Sequence, residues 1–380
     1  MTTFADRPLR QSMTPATDAE DASYLDFVEG VRVFNQQQVQ AGFKARYAEA
    51  VAEFERVQGR PPSTIEDAHA MLDRIPLFAS RSRLWRSTQE MMWEQIRQTY
   101  HKREAELLAE LDRADRSGPG SVQWDPNFRY PSYILNHEIH LQLGSYHNDP
   151  LAGYIYHYGT KIFFTPTLGN QNDDDNQRQM VNAMPLPADG QVRRVLDLGC
   201  SIGQSTTAWK ERLPTADVWG VDIAAPMVRY AHKRAVDLGL EVHFVQMAAE
   251  DLRFPDASFD LVYSYILFHE LPVPVLREVL RQVRRVLRPG GLFLINDFAG
   301  RTMGAGRTWS SSVSSPTAAS ADRTGDPLQL WLLDFVTKHN GEPFAWDYCH
   351  LDMHAELQAA GFRASRHFDT GRQVVIEATK

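Results

Sequence analysis

Two cysteines in 380 residues, Cys200 and Cys349, cannot build a disulfide framework, and that scarcity predicts a reducing compartment. Long apolar runs are missing as well. No stretch approaches the ~18 apolar residues of a membrane-spanning helix, so none is expected. The first residues, MTTFADRPLR, lack the apolar core of a signal peptide, and the expected location is cytoplasmic. An excess of positive charge is also absent: the net charge is −8 and the pI about 5.9. A nucleic-acid or anionic-membrane partner therefore has no electrostatic basis. With 43% hydrophobic and 23% charged residues, the chain has the composition of a globular protein long enough for two domains.

Three regions differ in texture. Residues 1–120 predict a helical N-terminal domain, serving as a cap or a dimerisation unit. Its first twenty residues are polar, and helical patterning runs from Tyr24 to about Asp115. Ser63 with Glu66 three positions on predicts a capping box before AHAMLDRI, and Leu84 to Leu111 reads as one long helix. After the break at Ser117-Gly-Pro-Gly120, residues 121–180 are dense in Tyr, His and Gly and predict a linker covering a cleft. The polar run GNQNDDDNQRQ lacks the central Gly and terminal Glu of a calcium loop, and reads as a solvated loop or helix start.

From residue 181 to 380 short apolar runs alternate with helical patterns. Strands are expected at 193–200, 216–223, 241–248, 259–268 and 290–298, and an amphipathic helix at 275–288 stopped by RPGG. Helices near 328–338 and 351–360 precede two final strands, FRASRHFD and RQVVIEAT. The short Asp369-Thr-Gly-Arg372 turn between them predicts antiparallel pairing. Residues 299–326, rich in Gly, Ser, Thr and Ala without periodicity, predict a lid. The fold class expected is α/β: a Rossmann-like, seven-stranded sheet with an antiparallel C-terminal hairpin, preceded by the helical domain.

Within this region VLDLGCSIGQST (195–206) runs an apolar strand into a glycine-bearing turn, and VWGVDIAAP ends a second strand on Asp222. Glycines let a backbone approach a nucleotide-like ligand, and an acid at that place suits a ribose diol. Each piece has a plainer reading: Gly199 and Gly203 fit any strand-to-helix turn, and Asp222 could cap a helix. The full ordered series is VLDLGCSIGQ, VWGVDI, AAEDLRFPDASFDLVYS, a strand ending in FHE, and RRVLRPGGLFLINDF. It resembles a class I S-adenosylmethionine-dependent methyltransferase of the type acting on quinones, sterols and other small molecules, over residues 180–380.

The resemblance implies S-adenosylmethionine as cofactor. It places Asp197, Gly199 and Gly203 beneath the methionine part, and draws Cys200, Ser201 and Gln204 of the same turn into the cofactor-binding set. Asp222 would hold the ribose hydroxyls, Ile223 would pack on adenine, and Met227 would join from the next helix. Ala249 and Glu250 match the adenine-edge segment, with Ser264 and Tyr265 near the methionine carboxylate and the methyl. The chain departs from the family twice. Ser201 replaces the middle glycine of the turn, and Ala248 stands where an acid usually meets the adenine amino group, which leaves Glu250 or Asp251 to supply that bond. Cys200 itself reads as a small packed residue, not a nucleophile.

Methyl transfer from a sulfonium is an in-line displacement that needs alignment and water exclusion, and a base only when the acceptor carries a proton. His269, after the fourth strand, is the leading base candidate. Shaping the pocket through backbone hydrogen bonds is its alternative role. Glu270 would orient His269 or cap the following helix, and His140 completes the catalytic candidates. Tyr154, His157 and Tyr158 are candidates for acceptor contact, their aromatic faces suiting a sulfonium. Tyr154 and Tyr158 could share a helix face, and packed core aromatics are the equal competitor. The linker histidines match no compact zinc spacing, so no metal is expected. Cap and lid together predict an enclosed pocket for a small, largely apolar acceptor methylated at oxygen, phenolic or carboxylic, with sulfur and carbon open. A homodimer is plausible. The competing readings are a non-catalytic binder of the same cofactor and a nicotinamide-dependent oxidoreductase.

Overall fold

The computed structural model describes residues 17–168, 173–297, 326–369 and 374–380. Eight strands form one sheet: β1 Ser121–Gln123, β2 Arg194–Leu198, β3 Asp217–Asp222, β4 His243–Gln246, β5 Phe259–Tyr265, β6 Leu287–Asp297, β7 Ala364–Asp369 and β8 Val374–Thr379. Their order is β1-β4-β3-β2-β5-β6-β8-β7. Pairs from β1 to β6 are parallel, and β8 lies antiparallel to both β6 and β7. The chain winds outward on both sides of β2, so the crevice between β2 and β5 is the point where an open sheet of this kind presents ligands at its carboxyl edge.

All seven expected strands are present, including the antiparallel pair at the end. The eighth, β1, escaped sequence reading because three residues show no alternation; it exists by pairing with a remote edge, Ser121 against His243. Parallel strands buried on both faces read as apolar runs. Accordingly Leu196, Leu198, Val221 and Val262 pack on one side against Leu276, Val279, Leu280 and Val283 of the helix Val273–Val286. On the other side Val195, Val218, Leu261 and Leu294 meet Trp209 and Val228.

The helical region differs from expectation in its boundaries. Helix Ile65–Leu72 is capped by Thr64, whose side chain accepts from the Asp67 amide at 3.2 Å, one position beyond the expected Ser63. The long pattern from Leu84 is two helices, Pro76–His101 and Glu104–Ala114, separated by the non-helical backbone of Arg103. Neither Gly nor Pro marks that break, so the apolar periodicity runs straight through it. The polar run opens helix Asp173–Ala183, and helix Ala345–His350 is too short to leave a periodic signal. Residues 1–16, the predicted lid up to Thr324 and Gly325, and the turn residues 370–373 lie outside the described residues. No helix among the described residues is long and apolar enough to cross a membrane.

Helix Ala152–Leu168 joins the two parts of the molecule. Tyr154, Ile155 and Tyr158 pack with Trp93 and Ile96 on one side, and with Ile202, Ala224, Met227 and Tyr230 of the sheet region on the other. The helical region is thereby set against the loops that follow β2 and β3.

Candidate active site

Between β2 and the next helix the backbone turns through left-handed conformations at Gly199 (φ 63°), Ser201 (φ 49°) and Gly203 (φ 73°). At two of these only glycine fits: an added Cβ would lie 2.9 Å from Leu267 Cδ1 at position 199, and 2.8 Å from Phe244 Cζ at position 203. Ser201 takes an unfavourable conformation for a residue with a Cβ. Its amide donates to Asp222 Oδ2 at 2.9 Å, while Asp222 Oδ1 accepts from the Ala224 amide at 2.9 Å. One carboxylate thus ties the two loops at the carboxyl edge, and each oxygen retains acceptor capacity for a diol. Burial pushes the Asp222 carboxyl upward, against the pull of the Ala224 and Ser201 amides.

Polar atoms without protein partners collect along the same edge. They are Asp197 Oδ1, Ser201 Oγ, Ser264 Oγ at the end of β5, and Glu250 Oε2 after β4, all buried. Buried polar atoms are normally satisfied, so orphans strung along a sheet edge fit a polar ligand with several separate groups, as a nucleoside-bearing amino acid is. Of the two acids offered for the adenine edge, geometry separates Glu250 from Asp251. Glu250 is held by the Tyr133 hydroxyl at 2.7 Å, whereas the Asp251 side chain is 67% exposed and paired with Arg253. The Ile223 carbonyl accepts from Gln246, Gln204 donates to Asp174, and Ala249 and Met227 pack in the core. Tyr265 closes β5, half-buried. Burial pushes the Cys200 thiol well up, which withholds the thiolate a nucleophile requires.

Asp197 is fully buried, and burial pushes its carboxyl up to about 7 against the opposing hydroxyl bonds of Ser205 and Thr206, each at 2.6 Å. A ligand ammonium near Asp197 would favour its ionised form. An ammonium-bearing ligand at this edge is therefore expected to bind more weakly as pH falls through 7, by up to about tenfold one unit below that value. Calorimetry in buffers of different ionisation enthalpy should show proton release near pH 6.5 in the natural protein and none in Asp197→Asn.

On the other side of β2 the ends of β5 and β6 lock His269 in place. Its Nδ1 lies 2.7 Å from Asp297 Oδ1, and Asp297 Oδ2 accepts from the Phe268 amide at 2.8 Å. The imidazole has no exposed surface. Burial, the largest single effect, opposes its charge, but Asp297, Glu342 and Glu270 together outweigh burial and push it up to about 9. Glu270 lies between the two histidines, its Oε1 3.6 Å from His140 Nε2 and 4.0 Å from His269 Nε2. The following helix is headed by Pro272, so Glu270 does not cap it.

His140 reaches this place through a strained backbone, φ 53°. Its amide donates to the Gly341 carbonyl at 2.9 Å, and its carbonyl accepts from Gln89 and Trp93. Gly341 is left-handed at φ 73°, where a Cβ would lie 2.7 Å from the Glu138 carbonyl. That close approach brings Glu342, 1% exposed, to 3.4 Å from His140 Nε2 and 3.9 Å from His269 Nε2. Sequence reading missed Asp297 and Glu342. Asp297 carried one signal, an acid ending an apolar strand, as Asp222 does; Glu342 carried none.

Tyr154, His157 and Tyr158 correct the expectation of acceptor contact. All three are buried: the Tyr154 hydroxyl donates to Glu110 at 3.0 Å, and His157 Nδ1 lies 2.7 Å from the Tyr230 hydroxyl. Tyr154 and Tyr158 do share a face, packing on Tyr100 at ring distances of 6.1 and 6.4 Å. Burial pushes His157 down to about 3, so it stays neutral. Their polar atoms are used inside the core because residues 152–160 of this helix are buried, with Tyr156 half-buried.

A feature with no sequence signal is a pair of buried arginines. Arg32 and Arg81 are 1% and 6% exposed, and no side chain among the described residues forms an ion pair with either. All three guanidinium nitrogens of Arg32 and Nη1 of Arg81 lack hydrogen-bond partners. Both stack on Trp85, and Arg32 also lies over Phe163, which has the His140 ring at 5.9 Å among its neighbours. Burial lowers each to about 10, so both remain cations at neutral pH.

Residues 195–291 match a family described as a methyltransferase domain. The chain is 37% identical over 123 residues to a demethylmenaquinone methyltransferase of Thermus thermophilus, covering 32% of this chain and 55% of that one. It is 35% identical to a fatty-acid O-methyltransferase of Mycolicibacterium smegmatis, covering 35% and 48%. The chain thus spans about half the length of these two relatives. An uncharacterized methyltransferase of Synechocystis is 37% identical over 188 residues, which cover 49% of this chain and 75% of the relative.

Proposed function

The chain belongs to the S-adenosylmethionine-dependent methyltransferase family, and from that premise we propose that it transfers the methyl group of S-adenosylmethionine to an oxygen of a small acceptor. The observation that carries this reading is the placement of two different polar sites at one sheet edge. The turn 197–203 with Asp222 and Glu250 offers acceptors for ribose, adenine and an amino acid. Across β2, the His269 cluster offers buried groups for a reacting oxygen. Each residue assignment in the cofactor set belongs to this proposal.

The donor is already activated, so the protein's contribution is alignment and exclusion of water. On this reading Asp222 and the turn fix the cofactor, and burial of His269 and Glu342, with Glu270 half-buried beside them, keeps water from the acceptor side. The relatives' names include both quinone and O-methyltransferases, so the acceptor atom is the finer part of the proposal. A buried imidazole that its carboxylate neighbours keep protonated can donate to an anionic oxygen, and it is the observation that favours an oxygen acceptor.

Arg32 and Arg81 refine the acceptor class. Two desolvated cations with no ion pair among the described residues, only the more distant Glu29 acting on Arg32, are costly unless a ligand supplies the charge. Arg32 lies one aromatic ring, Phe163, away from His140, and Arg81 shares Trp85 with it, so we assign the acceptor an aromatic or apolar body with an anionic group at its far end. Arg32→Gln is expected to raise KM for a carboxylate-bearing phenol by at least about tenfold, the loss of one charge-assisted bond, with no change for its amide analogue. Equal KM changes for both would remove Arg32 from acceptor binding.

The direct test is incubation with methyl-labelled cofactor and a panel of phenols and carboxylic acids beside their neutral analogues. Labelled product with an O-methyl resonance supports the reading, and a C-methyl resonance moves the acceptor atom to carbon. Tight S-adenosylhomocysteine binding with no transfer to any acceptor favours the non-catalytic reading. Protection against melting by a reduced dinucleotide in place of S-adenosylhomocysteine would overturn both.

A further inference from the structure

His140, His269 and Glu342 come from three segments remote in sequence, yet their potential ligand atoms all lie within 4.8 Å of one another. We propose that they bind one divalent transition-metal ion of the zinc type, with Glu270 beside them as a further oxygen ligand. The ion's open positions would face the acceptor's oxygen. The use of the ion for an acceptor rests on the methyl-transfer reading above; the binding of the ion does not.

Three observations support the site. First, the donor set of two imidazoles and a carboxylate is one that holds zinc and related ions while leaving positions open. A tetrahedral ion with bonds of about 2.0–2.1 Å sets its ligands about 3.4 Å apart. The His140 Nε2 to Glu342 Oε1 separation is already 3.4 Å, and His269 Nε2 to Glu342 Oε2 is 3.9 Å. Second, each ligand is already oriented from behind. Asp297 Oδ1 holds His269 Nδ1 at 2.7 Å, the Tyr146 hydroxyl holds His140 Nδ1 at 2.5 Å, and Asn340 donates to Glu342 Oε1 at 3.0 Å. Both rings therefore present Nε2 to a common point, as ligating histidines do when their second nitrogen is engaged. Third, Glu342 Oε2 is buried without a hydrogen-bond partner, on a side chain 1% exposed. A buried carboxylate oxygen in that state has acceptor capacity that no hydrogen bond uses and that a bound cation would take up.

The backbone has been arranged to this end. His140 occupies the left-handed region and is fixed there by Gly341, Gln89 and Trp93, at a place where relaxation to an ordinary conformation would swing the imidazole away.

The test uses the full chain without an affinity tag, stripped with a chelator, dialysed and titrated with Zn²⁺. Expected are one ion per chain by elemental analysis, a rise in melting temperature on adding Zn²⁺, and a visible absorption band when Co²⁺ is used instead. Glu342→Gln and His140→Asn should each weaken Zn²⁺ binding by at least about tenfold, while S-adenosylhomocysteine affinity stays within about twofold. That second readout shows the variants are folded and keeps failure of the ion separate from failure of the cofactor reading. His354 and His367, 3.0 Å apart on the surface, supply an adventitious alternative. Retention of Zn²⁺ in Glu342→Gln and His140→Asn, or its loss in His367→Ala, would overturn the proposal, as would a stripped chain that takes up no ion.

Discussion

Replacing Asp222 by alanine is expected to weaken S-adenosylhomocysteine binding by about a hundredfold or more. Two losses add. The carboxylate's bonds to a ribose diol disappear, each worth about 1.5–3 kcal/mol for a charged acceptor. The amides of Ser201 and Ala224, which donate to its two oxygens at 2.9 Å, also lose their partner. Ser201 then loses the side-chain bond that helps hold it at φ 49°, and the turn 199–203 loosens. Asp222→Asn retains one acceptor oxygen and should fall between the two. Calorimetry checks the series, and an unchanged dissociation constant in Asp222→Ala would take this acid out of the cofactor site.

His269→Gln is expected to lower turnover by about 10²- to 10⁴-fold, the range for removing a group that handles a proton or an oxygen in the reacting centre. Affinity for S-adenosylhomocysteine should stay within about twofold, because the proposal puts His269 on the acceptor side and the cofactor on the turn 197–203. Asp297→Asn should lower kcat in the same direction, since the 2.7 Å bond to Nδ1 fixes the ring. Single-turnover kinetics separates this from a folding defect, and normal turnover in His269→Gln would reduce the residue to packing. The same measurement on chelated natural protein is informative. A comparable loss there, restored by Zn²⁺, places the imidazole on an ion; full activity there, with loss only in the variant, leaves His269 acting alone.

Much of the architecture is written in contiguous residues. Apolar runs bounded by turns mark buried parallel strands, and VLDLGCSIGQST marks both a strand and the turn after it, because the left-handed positions at 199 and 203 exclude other side chains. Where several residues share a role but not a neighbourhood, sequence reading went astray. The aromatic stripe at Tyr154 and Tyr158 suggested a ligand surface, and packing against Tyr100 and Tyr230 consumed it. The histidines of the linker carried no metal spacing, although one of them sits beside a second histidine and a glutamate.

What the chain settles by itself is therefore the α/β sheet, its antiparallel ending and the left-handed glycine turn after β2, since each depends on conformational preferences of a few adjacent residues. The acceptor side was decided only when the sheet closed. There the ends of β5 and β6 lie side by side, and the Gly341 carbonyl meets the His140 amide, so His140, His269, Asp297 and Glu342 converge. Short-range sterics and periodicity are local and legible, whereas a convergence of charges is fixed by the long-range packing that buries them.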